Sequence, residues 1–403
     1  MKKKTIKDLD ARQLSGGRVL VRVDYNVPLK DGRVTDDSRI RATLPTLRHL
    51  LEHSACVILM SHVGRPKGEW KDEYSLRPAA DTLAQFMDVP VRLVPDVVGS
   101  DARDAVAAMH GGEILMLENT RFLPGEETND PHLSEQLGGM ASVFVNDAFG
   151  AAHRAHASTV GAPEVMKREG KPVVAGLLMD AELRFLGNAL ESPERPFVAI
   201  LAGAKISGKI DVIESLLPRV DHLVIGGAMA NTFFRAMGLE TGDSLVEEDR
   251  VEMARALLER AEDKLVLPVD CVVAEEAEPG ANTRTVDREE IPGGWKALDI
   301  GPRSVARFRE LLAGAQTVIW NGPMGMFEVE PFRGGTNSVA RAVADITRTG
   351  ATTIVGGGDT AAAVKEAGLD AKMSHVSTGG GASLEFLEGR TLPGVAVLDD
   401  RED

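Results

Sequence analysis

The sequence predicts an α/β protein whose parallel sheets are covered by helices on both faces. Three observations carry this. Short apolar runs alternate with amphipathic helical stretches along the chain, the pattern that parallel strands and their crossover helices produce. Many of those runs end in a glycine or in one polar residue, as strands do where they enter a ligand-facing loop. And 403 residues, 43% of them hydrophobic, suit two α/β domains or one large one.

In the N-terminal half, strands are predicted at 18–24, 56–62, 113–118 and 142–147. Between them lie stretches such as 39–53, where Ile40, Leu44, Leu47 and Leu51 recur at helical spacing. The C-terminal half repeats the grammar, with strands at 197–202, 222–225, 265–274, 317–320, 352–355 and 375–377. Between the halves, Met179, Leu183, Leu186 and Leu190 share one helical face before Pro193 and Pro196 stop the helix. The span 178–192 reads either as an inter-domain helix or as a surface helix within one domain. The residues leaving the strands are Asp24, His62, Glu118, Asp147, Gly203, Gly226, Asn321, Gly356 and Gly379.

The formal net charge of −15 argues against a sequence-independent nucleic-acid binder, so any phosphate site must be locally basic. Two cysteines, Cys56 and Cys271, exclude a disulfide scaffold and fit a reducing cytoplasm. No apolar stretch follows Lys2, Lys3 and Lys4, and none approaches the roughly 18 residues of a membrane span. A soluble, cytoplasmic protein is expected, monomeric by default.

The stretch 352–363, TTIVGGGDTAAA, reads as strand, glycine turn and helix. Gly356, Gly357 and Gly358 let backbone approach a bulky anion, and the free N–H groups of the helix point at it. Asp359 suits either a Mg²⁺ that bridges phosphates or the N-cap of the helix. A second turn, 203–210, nearly matches the GxxxxGK[ST] loop but has Ile210 where a hydroxyl must reach the metal, so that loop is rejected. Lys205 and Lys209 stay as phosphate contacts at a helix start. A third glycine turn lies at 378–383, and 320–327, WNGPMGMF, leads into Glu328, which could accept from ribose hydroxyls.

The N-terminal half is rich in arginine at its strand ends and the helix start that follows: Arg22, Arg39, Arg41, Arg65, Arg121 and Arg154, with His62, His153 and His156. Arginine suits bidentate contact with phosphate or carboxylate, and the shared location suggests an anionic small-molecule site. A metal on His153 and His156 is poorly supported with an arginine between them.

At these residues the chain resembles phosphoglycerate kinase nearly end to end. The matching stretches include RVDYNVPL (22–29), DDSRIRATLPT (36–46), SHVGRPKG (61–68), LENTRF (117–122), NDAFGAAHRAHAS (146–158), LAGAKISGKI (201–210), WNGPMGMFE (320–328), GGGDTAAAV (356–364) and STGGGASLEFLEG (377–389). The departures are Ala202 for glycine, Gly208 for aspartate, and Thr120 and Val63 for leucines. The resemblance implies two Rossmann-like domains facing across a cleft and joined by a hinge helix. The divisions would be 1–177 for the triose, 178–192 for the helix, 193–390 for the nucleotide, and 391–403 for a tail returning to the first domain. Asp24, Asn26, Arg39, His62, Val63, Gly64, Arg65, Arg121 and Arg154 would hold 3-phosphoglycerate or 1,3-bisphosphoglycerate. Lys205, Lys209, Gly294, Asn321, Pro323, Glu328, Gly357, Gly358, Asp359 and Thr360 would hold ADP or ATP, with Mg²⁺ on Asp359. Arg39, Lys205 and the backbone around Gly380 would carry the transfer itself.

Two other classes compete. A nicotinamide-dependent dehydrogenase would want a complete GxGxxG followed by an acidic residue, and no complete one occurs. A phosphate-sensing module on the same fold should have lost Arg39, Lys205 or Asp359, and all three are present.

Overall fold

In a computed structural model, which describes residues 2–401, the chain divides into two compact units. One runs to Arg184 and takes in the residues from Thr391 onward; the other is Phe185–Arg390. Met1, Glu402 and Asp403, which the sequence reading placed in the first domain and its tail, lie outside the described residues.

The first unit is built on six strands: β1 (Arg18–Val23), β2 (Cys56–Met60), β3 (Val91–Leu93), β4 (Ile114–Met116), β5 (Val143–Asp147) and β6 (Val173–Ala175). They pair in the order β3-β4-β2-β1-β5-β6, all parallel. Helix α1 (Ser38–Glu52) lays Ile40, Leu44 and Leu47 on the sheet, where Val19, Val21, Val57 and Leu59 are fully buried. Each such side chain contributes about 1.5–3 kcal/mol over its exposed state. Helix α2 (Leu177–Glu191) ends this unit and begins the next.

The second unit repeats the plan with β7 (Phe197–Leu201), β8 (His222–Ile225), β9 (Leu265–Val266), β10 (Asp270–Ala274), β11 (Arg284–Asp287), β12 (Lys296–Ile300), β13 (Thr317–Asn321), β14 (Thr352–Gly356) and β15 (His375–Val376). Six of these form a parallel sheet, β9-β8-β7-β13-β14-β15. Val198, Ile200, Val318, Trp320 and Val355 meet Val339 and Val343 of the covering helix Gly334–Arg348 in its core. After β14 comes α3 (Gly358–Glu366), and after β15 comes α4 (Gly381–Leu387).

The structure adds strands that the sequence reading did not name, β3, β6, β11 and β12 among them, and divides one that it did. The run 265–274 is two strands, because Pro268 removes a ladder donor between them. Its second part, β10, leaves the parallel sheet and pairs antiparallel with β11 and β12. There the Asp270 carboxylate accepts from the Ser304 N–H (2.8 Å) and Arg303 N–H (3.0 Å) at the start of the helix Pro302–Ala313.

The last described residues pack on the first unit. Leu392, Val395 and Leu398 are buried, Gly394 N–H donates to the Ala152 carbonyl (2.8 Å), and Asn146 Nδ2 donates to the Gly394 carbonyl (2.9 Å). Among the described residues no helix is long and apolar enough to cross a membrane.

Candidate functional site

In the first unit the polar residues at the carboxyl ends of β1, β2 and β4 form one connected chain. Asp24 follows β1, and its Oδ2 lies 3.1 Å from Arg39 Nη1 on the first turn of α1. The same guanidinium nitrogen donates to the Asn26 carbonyl (3.0 Å), and Asn26 N–H returns to Asp24 Oδ1 (3.2 Å). Asn26 Oδ1 accepts from Gly64 N–H (3.0 Å), and the Gly64 carbonyl accepts from Arg121 Nη1 (2.8 Å). The Val63 carbonyl is held by Asn119 Nδ2 (2.8 Å) while its side chain is buried, which makes Val63 framework. Arg65 and Arg154 are exposed beside this chain, and Arg154 Nε lies 3.1 Å from His153 Nε2.

The cations here outnumber the anions that face them. Burial lowers the Arg121 guanidinium from its ordinary value, against the pull of Glu127 and Glu126, and Arg154 and Arg65 add repulsion. Burial also drives His62 well below its usual value, and Arg22, Arg121, His156 and Arg39 push the same way. A partly desolvated basic cluster of this kind is stabilised by a multivalent anion that bridges the guanidinium groups.

In the second unit the candidate residues gather where strand order reverses, between β7 and β13, the place where open α/β sheets bind ligands. Asn321, the last residue of β13, is in register with Leu201 on one side and Gly356 on the other. Lys209 Nζ donates to Asn321 Oδ1 and lies 3.4 Å from the Asn321 carbonyl oxygen. That leaves Asn321 Nδ2, on a residue only 3% exposed, a buried donor with no acceptor among the described residues. Gly357 opens α3 with φ +88°, and a Cβ there would stand 3.1 Å from that nitrogen. Thr360 Oγ1 accepts from Gly322 N–H (2.6 Å). Gly322 itself must be glycine, since at φ +104° its Cβ would meet the Ala202 carbonyl oxygen at 1.8 Å.

Burial pulls the Lys209 ammonium down to about 8, against the attraction of Asp359. Gly358 and Asp359 are exposed on the first turn of α3, so its N-terminal N–H groups and dipole face the same place. A single accessible carboxylate beside an anion cradle fits a Mg²⁺ whose other ligands are phosphate oxygens and water. The described residues contain no group of three or more His, Cys, Asp or Glu that could hold a metal without such help.

The remaining residues are less closely joined. Lys205 is exposed on the turn before the helix Ile210–Leu216, so it is not on a helix start. The N–H groups of Ile206 (2.6 Å) and Ser207 (3.1 Å) on that turn already donate to Glu247 Oε2. Pro323 is half-buried in the turn after β13, and Glu328 is exposed further along it. Gly380 has φ +52° just before α4, and the adjacent Gly379 N–H is bonded to Ser377 Oγ (3.1 Å). Gly294 lies on a separate turn, with its N–H 3.3 Å from Asp243 Oδ1.

The family model of phosphoglycerate kinase matches residues 6–390. The chain belongs to the phosphoglycerate kinase family. It is 55% identical over 408 residues to the phosphoglycerate kinase of Chloroflexus aurantiacus, covering 100% of both chains. It is also 55% identical over 403 residues to that of Rubrobacter xylanophilus, again over 100% of both. Among solved structures it superposes on the phosphoglycerate kinase of Coxiella burnetii with a TM-score of 0.86 at 39% identity, and on that of Pyrococcus horikoshii with 0.85 at 32%, each over 98% of both chains. Membership makes this chain an enzyme, an ATP-dependent kinase of glycolysis. The α/β fold of two parallel-sheet units is that of its structural neighbours.

Sequence reasoning counted Arg22 only as one of the arginines at a strand end, and gave no role to Glu126, Ser158 or Glu247. The signal at Arg22 was legible: an arginine near the end of RVLVRV, where apart from the exposed first residue Arg18 it alone interrupts an apolar strand of a parallel sheet. Its side-chain partners, His62 and Ser158, are distant in sequence, and no local pattern connects them.

Proposed function

We infer that this chain moves a phosphoryl group reversibly between 1,3-bisphosphoglycerate and ADP, giving 3-phosphoglycerate and ATP. The observation that carries the division of labour is the pairing of two anion sites of different kinds. One is the arginine chain on the first sheet edge; the other is the buried Asn321 donor beside Lys209 and the N-terminus of α3. Guanidinium groups match the carboxylate and phosphate of a triose, so Asp24, Asn26, Arg39, His62, Gly64, Arg65, Arg121 and Arg154 are assigned to it, with Val63 behind them. Lys205, Lys209, Asn321, Gly357, Gly358, Asp359 and Thr360 are assigned to the nucleotide phosphates. Glu328, Pro323 and Gly294 are assigned to the rest of the nucleotide.

In the ATP-consuming direction the nucleophile is a carboxylate, already ionised at pH 7, so the site needs no general base. Its task is positioning and charge stabilisation. Asp24 and Asn26 hold Arg39 at the edge of the site, where its guanidinium stabilises charge on the transferring group. Lys205 and the backbone N–H of Gly380 supply further positive charge. Mg²⁺, when bound, neutralises phosphate oxygens, and Asp359 would hold it. Small-molecule substrates are the partners of this acidic chain, and we place it in the cytoplasm as a monomer without nucleic-acid or membrane partners. Its charge of −15 and its two free, buried cysteines support that setting.

The test is a coupled assay for ATP- and Mg²⁺-dependent use of 3-phosphoglycerate, on the native chain and on Arg39→Ala. Activity is expected in the native chain. In the variant kcat should fall on the order of 10²- to 10³-fold, the cost of one preorganised donor, with nucleotide affinity unchanged. A folded, nucleotide-binding native chain without activity would overturn the reading.

A further inference from the structure

Arg22 lies in β1 with its side chain fully buried, in register with Met60 and Asn146 on the neighbouring strands. A buried guanidinium costs several kcal/mol unless its donors are satisfied and a counter-charge is near. Nε donates to Ser158 Oγ (2.8 Å), Nη1 to the Val23 carbonyl, and Nη2 lies 2.9 Å from His62 Nδ1. The counter-charge is Glu126, fully buried, which accepts from Ser158 Oγ (2.5 Å), Ser158 N–H (3.0 Å) and Thr120 Oγ1 (3.1 Å). Ser158 therefore couples the two charges, accepting from the arginine and donating to the carboxylate.

The contact at His62 fixes more than a distance. A guanidinium has donors and no acceptor, so the nitrogen it touches must present a lone pair. His62 Nδ1 is then the unprotonated nitrogen, and the ring proton sits on Nε2. Protonating Nδ1 would set two donors against each other. The other charges around this ring act in the same sense: Arg39 from α1, Arg121 from the turn after β4, and His156 from the loop after β5. The facing carboxylates are engaged elsewhere, Asp24 with Arg39, Glu126 with Ser158 and Thr120, and Glu127 with Arg121.

We propose that Arg22 is a positioning residue that holds His62 as the neutral Nε2–H tautomer, a donor of fixed polarity for an oxygen of the anionic substrate. The link to substrate rests on the triose assignment above; the tautomer does not. A neutral donor of this kind binds an oxyanion equally well on both sides of pH 6.5, where a free histidine would change its charge.

The native protein, labelled with ¹⁵N at histidine, is examined by long-range ¹H–¹⁵N correlation between pH 5.5 and 8, with His62 assigned by the signal lost in His62→Gln. A pyridine-type Nδ1 and a pyrrole-type Nε2 throughout are expected. An imidazolium pattern at pH 5.5, or a proton on Nδ1, overturns the proposal. Adding 3-phosphoglycerate should shift Nε2; the expected tautomer with no shift would retain Arg22's role and refute the triose assignment alone. In Arg22→Gln the side-chain amide can accept as well as donate, so an Nδ1–H form of His62 should appear beside the Nε2–H form, while burial and the remaining cations still hold the ring below its ordinary value. KM for 3-phosphoglycerate should rise roughly ten-fold, the worth of one hydrogen bond. Arg22→Lys, which keeps a cationic donor, should restore the tautomer. Should neither variant fold, the native spectrum alone decides.

Discussion

Single side chains in this protein matter through what they lack as much as through what they touch. Asn321 keeps one buried amide donor without an acceptor among the described residues, and Lys209 bonds to the other end of the same amide. Leaving such a donor unmade costs about 1–3 kcal/mol, which ligand oxygen atoms would recover. Lys209 also carries a protonation consequence. Burial holds its ammonium near 8, so in the free protein about half of it is neutral at that pH. A bound polyphosphate favours the charged form, so nucleotide binding at pH 8 should take up a fraction of a proton. Calorimetry in two buffers of different ionisation enthalpy measures this, at a pH above the phosphate's own ionisation near 6. The uptake should vanish at pH 6.5 and in Lys209→Met. Zero uptake at pH 8 in the native protein would mean that Lys209 does not face the phosphates.

Elements are tied together by buried carboxylates at helix starts, and these set the protein's response to pH. Asp147, at the end of β5, accepts from Leu178 N–H (2.9 Å) and Met179 N–H (3.1 Å) through Oδ1, and Thr46 Oγ1 takes Leu177 N–H (2.8 Å). Together they secure the start of α2. Asp147 is fully buried and its Oδ2 has no hydrogen-bond partner among the described residues, so burial raises its carboxyl from 3.8 to about 7, against the pull of Thr46 and the helix N–H groups. Asp299 rises to about 7 for the same reason, despite the N–H groups of Gly335 and Ile300. In each the folded form binds the proton more tightly than the unfolded chain. The resulting stability is fully present below pH 3.8 and is lost as pH rises through 7, at up to about 1.4 kcal/mol per pH unit per group. Asp147→Asn keeps an acceptor for the helix, so urea unfolding from pH 5 to 7 should show a slope smaller by about one proton. An unchanged slope would remove Asp147 from this role. Little of this was legible in the sequence. The long central strands and α1 announce themselves by apolar runs and helical spacing, whereas β3 and β6 are three-residue edges whose pairing depends on partners far along the chain. Pro268 was visible, yet the antiparallel sheet beyond it needed β11 and β12, which carry too little apolar pattern to be found alone. The candidate ligands stood out because strand ends are marked by glycine and charge; the buried groups behind them did not, because their partners are set only by tertiary packing.

At the scale of the whole molecule, the two ligand sets belong to different units. The residues assigned to the triose lie before Arg184, and those assigned to the nucleotide lie within Phe185–Arg390. Helix α2 belongs to both. Its start is held by Asp147 and Thr46, while beyond Arg184 the Phe185 ring stacks on His375 at 4.9 Å and the Leu190 carbonyl accepts from Arg219 Nη1 at 2.9 Å. Phosphoryl transfer needs the carboxylate oxygen and the γ-phosphorus roughly 3–3.5 Å apart and water kept away. With the two reactants assigned to different units, binding energy from both substrates is expected to stabilise the state competent for transfer, and each substrate alone should do so less well. Small-angle scattering with 3-phosphoglycerate, with a non-hydrolysable Mg-nucleotide, and with both tests this directly. The radius of gyration should fall most with both present, and Arg39→Ala, which loses a charge presented to the transferring group, should reduce that fall. A radius unchanged by the pair would place the commitment to transfer in local rearrangements of the two sites.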